Sequence, residues 1–495
     1  MEHVFSLSGL TVMPWWGLMV FAPGWRWTRR LLVSPLVLLA PALLYAALVL
    51  PAIATIFPAV ARPELAGIAA LLGSPNGATI AWVHFLAFDL FVGRWIYLDA
   101  RARGLAWWLT SPLLFLTLML GPLGLVSYLA LRAVDVKAAV AAVRGLLKTA
   151  AQGSRALTTV GWMSAVVLIA SLILQLVDSR HVLGASTWIK PAKFGASVFL
   201  NAIALGWVFA HLRSANPAIA AKGLRRSATI IAAMLGFELA LIVLQAARGV
   251  PSHFNNATAF DVLVFRLMAF GITVMWLAQA YVTWRAFRQP MVGSSSVPST
   301  PAVTWGIRLG LLAAVLGGGL GFIMPIPTAA QRDSLSTGKT PTALGSHAVG
   351  VADGGPGLPV THWSTTGGDL RVPHFIGLHG LQVLPLVAWG ITRRSRRRLR
   401  QNESLVPLDT RSLDDNQEGV RNGRLLLVAG ATYLGIMLIT LIQALRAQPL
   451  LAPDSVTLFM FGGLGLASVA AWLSFEVDAG SPPVFRPFEE EGVAS

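Results

Sequence analysis

The sequence predicts an all-α polytopic membrane protein, with about 12 transmembrane helices in two helical bundles of about 4 and about 8. Three observations carry this. The chain of 495 residues is 55% hydrophobic and only 12% charged, where soluble domains are roughly 25% charged. Its mean hydropathy is +0.66. Apolar runs of about 18–25 residues recur throughout, the length at which a helix satisfies its own backbone across hydrocarbon. The strict apolar–polar alternation of a membrane β-barrel is absent.

Taken in order, the candidate spans are about 5–22, 34–57, 79–98, 107–131, 159–178, 192–211, 227–247, 260–284, 305–324, 374–391, 424–446 and 455–475. Spans 79–98 and 192–211 are the least uniformly apolar, so they are expected to face other helices. Four domains follow: 1–132, a four-helix membrane domain; 133–158, a basic linker helix at the interface; 159–475, an eight-helix membrane domain; and 476–495, an acidic tail. The linker carries Lys137, Arg144, Lys148 and Arg155 among alanines. Gln289–Pro301 is Ser/Pro-rich and Asn402–Asn422 is polar and mixed in charge, so both are expected to be flexible.

The net charge of +16 is read against topology. Arg213, Lys222, Arg225 and Arg226 mark one loop as cytoplasmic; Arg285, Arg288 and Arg308 mark the next, and the Arg393–Arg400 run a third. The loop 325–373 then falls outside, and the tail with Glu489, Glu490 and Glu491 inside. These choices describe a multi-pass protein of a bacterial inner membrane with a cytoplasmic C-terminus. In the first domain Arg26, Arg29, Arg30, Arg101 and Arg103 oppose strict alternation, which makes Leu65–Gly73 a re-entrant candidate. No basic stretch interleaves with aromatic residues in a soluble segment, which argues against nucleic acid. The absence of cysteine excludes disulfides, thiolate catalysis, iron–sulfur clusters and lipidation on sulfur. Met1–Leu10 lacks a basic signal region and is expected to stay uncleaved.

Two groups of residues carry candidate chemistry. In the first domain His84, Asp89 and Arg94 sit inside one apolar span, with Asp99 at its end. Ionisable groups at membrane depth are costly and mark either function or an internal bonding network. At 100° per residue, Asp89 and Asp99 fall within about 80° of each other and Arg94 points elsewhere.

The block Pro14-Trp15-Trp16, His84-Phe-Leu-Ala-Phe-Asp89-Leu-Phe-Val-Gly-Arg94, Asp99 and Gly121-Pro122-x-Gly124-x-x-x-Tyr128 resembles the abscisic-acid-deficient-four family, which includes the plant neoxanthin synthases. The resemblance covers roughly residues 1–132. It implies a redox-neutral rearrangement of an epoxy-carotenoid end group to an allene, without an organic cofactor. It also implies a hydrophobic substrate such as a carotenoid or another isoprenoid. For such chemistry His84 and Asp89 would serve as acid and base, and Arg94 would steady developing oxyanion character or anchor a hydroxyl.

The second domain holds Trp188-x-Lys190-Pro-x-Lys193-Phe, Gln245-x-x-Arg248-Gly-x-x-Ser252-His253-Phe-Asn255 and a glycine-rich block from Gly345 to Gln382. Together these resemble uncharacterised bacterial multi-pass membrane proteins and imply no activity. By the charge-derived topology, segments 179–193, 248–261 and 325–374 emerge on one side. They bring together Lys190, Lys193, Arg248, His253, Asn255, Asp261, His347, Asp353, His362, Asp369, Arg371 and His374.

Polar stripes run down the helices below: Lys193, Ser197 and Asn201; Glu238 and Gln245; Asp261 and Gln279. They fit an outward cavity, or plain hydrogen-bond glue between helices at about 0.6 kcal/mol per contact. A metal held by His253, His347, His362 or His374 with Asp353 or Asp369 is one option, and haem on His379 another. However, His374 and His379 are about 140° apart on a helix and cannot share an ion. An anion or lipid headgroup held by Lys190, Lys193, Arg248 and Arg371 fits better. Two functions compete: a cofactor-free isomerase of a carotenoid-like lipid, and a non-catalytic lipid- or ligand-binding receptor or transporter.

Overall fold

The computed structural model describes residues 1–134, 136–212, 217–289, 291, 300–402 and 411–477, leaving aside the side chains at 137, 217–221, 396–402, 411–416 and 476–477. The chain is an all-α polytopic membrane protein. Among the described residues, 11 helices are long and apolar enough to cross a membrane. It divides into two compact units, Met1–Val143 and Arg144–Ser495.

The first unit runs through α1 (Glu2–Ser8), α2 (Met13–Phe21), α3 (Arg26–Val33), α4 (Leu39–Val49), α5 (Ile53–Ala61), α6 (Leu65–Gly73), α7 (Pro75–Ala102), α8 (Trp107–Leu120) and α9 (Pro122–Arg132). Helix α7 is the centre, packed by α1, α2, α3, α4, α6, α8 and α9. It starts where the Ser74 side chain accepts the Gly77 N–H and Pro75, which has no N–H to leave unpaired, takes the first turn. Trp16, Leu90, Ile96, Tyr97 and Tyr128 fill the core around it. Trp16 lies so close over Gly93 that a methyl there would come within 2.3 Å of the ring.

The second unit takes up most of α10 (Val136–Gly153), which spans the division. It continues with α11 (Arg155–Val177), α12 (Ile189–His211), α13 (Pro217–Arg248), α14 (Ala259–Arg288), α15 (Pro301–Leu320), α16 (Ala329–Ser336), α17 (Arg371–Asn402), α18 (Arg411–Leu445) and α19 (Ser455–Val477). Two short hairpins interrupt the helices, β1 (His181–Val182) with β2 (Ala185–Ser186), and β3 (Ala348–Val349) with β4 (Gly368–Asp369). Glycines set the closest approach: a methyl at Gly377 of α17 would lie 2.4 Å from the Gly317 Cα of α15. Lipid gives helices no hydrophobic reason to associate, so close backbone packing on small residues has to supply the contact.

Two expectations change. The run 107–131 is two helices, because Gly121 turns to φ +34° and Pro122 has no N–H with which to continue α8. The stretch 402–422 is not a loop throughout, since α18 begins at Arg411 and extends an apolar span backward in helical register. Leu65–Gly73, the re-entrant candidate, is a helix of 9 residues, too short to cross on its own. The tail from 478, Arg213 and most of the 289–301 linker lie outside the described residues.

The glycine packing gives opposite signs at two positions of α17. Gly377→Ala should cost about 1–3 kcal/mol by overpacking. Gly390→Ala, with nothing within 4 Å of the new methyl, should be neutral or stabilising. Thermal unfolding in detergent, followed by fluorescence-detected gel filtration, reads both.

Candidate functional site

In the first unit the chemistry-bearing residues separate into those with partners and those without. Arg94 donates from Nε to the Leu32 carbonyl at 2.6 Å and from a terminal nitrogen to that of Val33 at 2.7 Å. It thereby closes the C-terminal end of α3, where carbonyls have no helical partner. Asp99 accepts from the Tyr128 hydroxyl at 2.6 Å, from Arg103 at 2.9 Å and from Arg132 at 3.0 Å, tying α7 to α9. Tyr97 donates to the Pro23 carbonyl at 3.0 Å. Gly124 lets α9 meet Thr117, whose hydroxyl oxygen would be 2.2 Å from a methyl there.

His84 and Asp89 are the remainder. Among the described residues no hydrogen bond or ion pair reaches either side chain. His84 is stacked on Phe88 at 4.7 Å between ring centroids and faces Tyr45 at 5.3 Å. Asp89 points at the break between α8 and α9: a methyl on Gly121 would lie 2.8 Å from its Oδ1. Five residues apart, the two groups stand about 140° from each other round α7 and do not form one dyad. Tyr45 was not among the candidates from sequence, although a lone phenol in an apolar span is a signal of the same kind as His84.

In the second unit three polar segments meet at one end of the helices. Asn256 and Leu344 exchange backbone hydrogen bonds with Thr342 and Phe254, so the 251–258 turn and the long 321–370 segment are stitched together. The Asp178 carboxylate binds Arg180 at 2.7 Å and the Trp188 indole at 2.6 Å. These bonds hold it well below the usual carboxylate range. Arg180 reaches on to the Ala247 carbonyl at 3.0 Å.

Most of the sequence candidates here hold the structure. Buried Asp261 accepts from Arg248 and Gln245 on α13 and from Thr258 of its own cap. Asn255 closes its turn with bonds to Pro251 and Ala257. Asp369 accepts from Arg371 and from the Ser364 N–H, while Arg371 also donates to the His362 carbonyl. His374 is bonded through Nδ1 to the Gly317 carbonyl at 2.7 Å. His379 is bonded to the Phe375 carbonyl one turn back. Asp353 gathers the His347 ring and the His347 and Ala348 backbone N–H groups. Burial pushes this carboxyl up, but those bonds and the neighbouring imidazole outweigh it and hold it below its ordinary value.

Lys190, Lys193, His253 and Glu238 remain. The Lys190 Nζ is 3.1 Å from His253 Nδ1, with the Ser252 hydroxyl 3.0 Å from the same nitrogen. On the other edge of the ring, Nε2 lies 3.6 Å from Glu238 Oε1. The Glu238 side chain is 3% exposed, and among the described residues neither of its carboxylate oxygens has a hydrogen-bond partner. Phe194, Phe254 and Phe265 surround the imidazole at 6.1–6.2 Å. Burial holds His253 well below the ordinary histidine range, and Lys190, His347 and His374 nearby push it the same way. Lys193 reaches the Thr361 carbonyl at 3.4 Å. Among the described residues no group of three or more His, Asp or Glu side chains is arranged to hold a metal ion.

Residues 3–128 match the family described as ABA DEFICIENT 4-like, so the similarity lies wholly in the first unit. No curated protein and no solved structure matches the chain.

The cap should loosen in acid. Burial lowers His347 from its ordinary 6.5 despite Asp353, and Asp353 is itself depressed from 3.8. Both depressed groups bind fewer protons folded than unfolded, so their stabilisation is present above those ordinary values and lost as pH falls through them. Hydrogen-exchange protection over 343–370, corrected for intrinsic rate, should decline from about pH 6.5 downward. His347→Gln should flatten the upper part of that decline.

Proposed function

We propose that the first unit is a membrane isomerase that rearranges a carotenoid or similar isoprenoid lipid by acid–base chemistry. The observation that supports it best is the pair of unspent ionisable side chains, His84 and Asp89, within a unit whose residues 3–128 match the ABA DEFICIENT 4-like family. Every other ionisable group of the shared motif is committed to the fold.

For an epoxide end group, one of the pair gives a proton to the oxygen as the C–O bond breaks. The other takes a proton from a polyene carbon, and the electron pair left behind becomes the new C=C bond. Protons balance and no electrons are exchanged, so no organic cofactor is called for. The angular separation of His84 and Asp89 suits proton transfers at two positions along an extended substrate. Arg94, with two donors spent on α3, acts here as a positioning residue for α7. The Lys and Arg residues at Lys222, Arg225, Arg226 and Arg393–Arg400 support a cytoplasmic C-terminus in a bacterial inner membrane. A lipid- or ligand-binding receptor or transporter is the second reading, favoured by the capped polar end of the second unit.

Expression in a carotenoid-producing host, with pigments profiled by chromatography, tests the enzyme reading. A new isomeric pigment should appear, and His84→Ala or Asp89→Asn should each reduce it by about 100-fold or more. Arg94→Ala should instead lower the amount of folded protein. A pigment profile unchanged across epoxy- and hydroxy-carotenoid backgrounds contradicts it.

A further inference from the structure

We infer that Lys190 and Lys193 form a binding site for an oxyanion, the phosphodiester or sulfate class, and that filling it draws a proton onto Glu238. The site lies wholly in the second unit and is independent of the isomerase reading.

Positive charge is left over beside α12. At this end of the helices Arg371 is neutralised by Asp369 and Arg248 by Asp261. Asp353 is spent on His347 and two backbone N–H groups. His374 and His362 bring no further anion, the first bonded to a carbonyl and the second held below its ordinary value by burial and by Lys193 and Arg371. Two cations, Lys190 and Lys193, therefore remain beside one uncommitted carboxylate, Glu238, on which Lys190 acts directly. They are three residues apart in the first turn and a half of α12, so their ammonium groups project from the same face. Neither lies within 4.0 Å of a carboxylate among the described residues.

Glu238 is the second, separate observation. A buried carboxylate with no hydrogen-bond donor on either oxygen among the described residues is costly, and His253 Nε2 lies 3.6 Å from one of them. A neutral imidazole has one N–H. With Nδ1 accepting from Lys190, that N–H is on Nε2, the edge of the ring 3.6 Å from Glu238 Oε1, so the imidazole lies between the cation and the carboxylate. An oxyanion on the two lysines takes over the counter-charge that Glu238 supplies. The negative potential it adds raises the carboxylate's hold on a proton, and one proton enters from solvent. No bond to carbon is made or broken. The phenylalanines around His253 leave the site open to a headgroup with an apolar tail as well as to a free ion.

The test uses the full chain in neutral detergent with two anions that do not titrate near neutral pH, inorganic sulfate and short-chain phosphatidylglycerol. Calorimetry reads binding, and a pH indicator in weakly buffered solution reads protons. At least one probe should bind with net uptake of protons, and more tightly at lower pH. Sulfate alone binding identifies a free ion as the ligand class; phosphatidylglycerol alone identifies a lipid headgroup. Lys190→Gln with Lys193→Gln should weaken binding at least about tenfold. Glu238→Gln should retain binding while diminishing the proton uptake, and its retained binding shows that it is folded. Failure of both probes to bind, binding indifferent to the lysine substitutions, or undiminished proton uptake in Glu238→Gln would each overturn the inference.

Discussion

The architecture depends on one constraint: inside hydrocarbon a polar group has no solvent partner, so every donor and acceptor must be met by the chain itself. A buried group left unpaired costs about 1–3 kcal/mol, and more when it is charged. Arg94 meets that requirement on the carbonyls of Leu32 and Val33, Asp99 on Tyr128 and two arginines, and Asp261 on Arg248, Gln245 and Thr258. Each bond crosses between elements or closes a helix end, so satisfying the polar groups is also what positions the helices. Against that background His84, Asp89 and Glu238 stand out among the candidate residues, with no hydrogen bond to their side-chain ends among the described residues, and the functional reading of both units rests on them.

The same constraint explains how the second unit holds its polar end together. Helices α15 and α17 meet through Gly317 and Gly377, and one turn away the His374 ring bonds the Gly317 carbonyl. The close backbone contact and the buried histidine fix the start of α17 relative to α15. The segment between them, 321–370, is thereby held over the turn that carries His253. Two of its carboxylates, Asp353 and Asp369, fold the segment, and this leaves the two lysines of α12 with no carboxylate within 4.0 Å among the described residues.

Much of this was legible in the sequence, and the rest was not for identifiable reasons. Apolar run length placed the spans, since a crossing needs a fixed length of helix. It failed at 107–131, where two short helices in series carry the same run and only the Gly121–Pro122 pair gave the break away. The residues that converge in the second unit could be named from topology, because loops between crossing helices return to the same side. What each residue bonds could not. The carbonyls that hold Arg94 lie more than 60 positions upstream, and nothing local encodes them. Glu238 was visible only as part of a stripe with Gln245. The mark that sets it apart, two oxygens without a donor, is a property of packing.

The central claim is that His84, Asp89 and Glu238 are kept for function at a cost to stability, while their polar neighbours hold the fold. Thermal unfolding of Asp89→Asn and Glu238→Gln, compared with Arg94→Ala and Asp261→Ala in the same detergent, tests it without knowledge of any substrate. The account predicts that the first two variants melt at or above the parent temperature and the second two well below it, since breaking a buried pair costs about 3–5 kcal/mol. Equal losses in all four would contradict it.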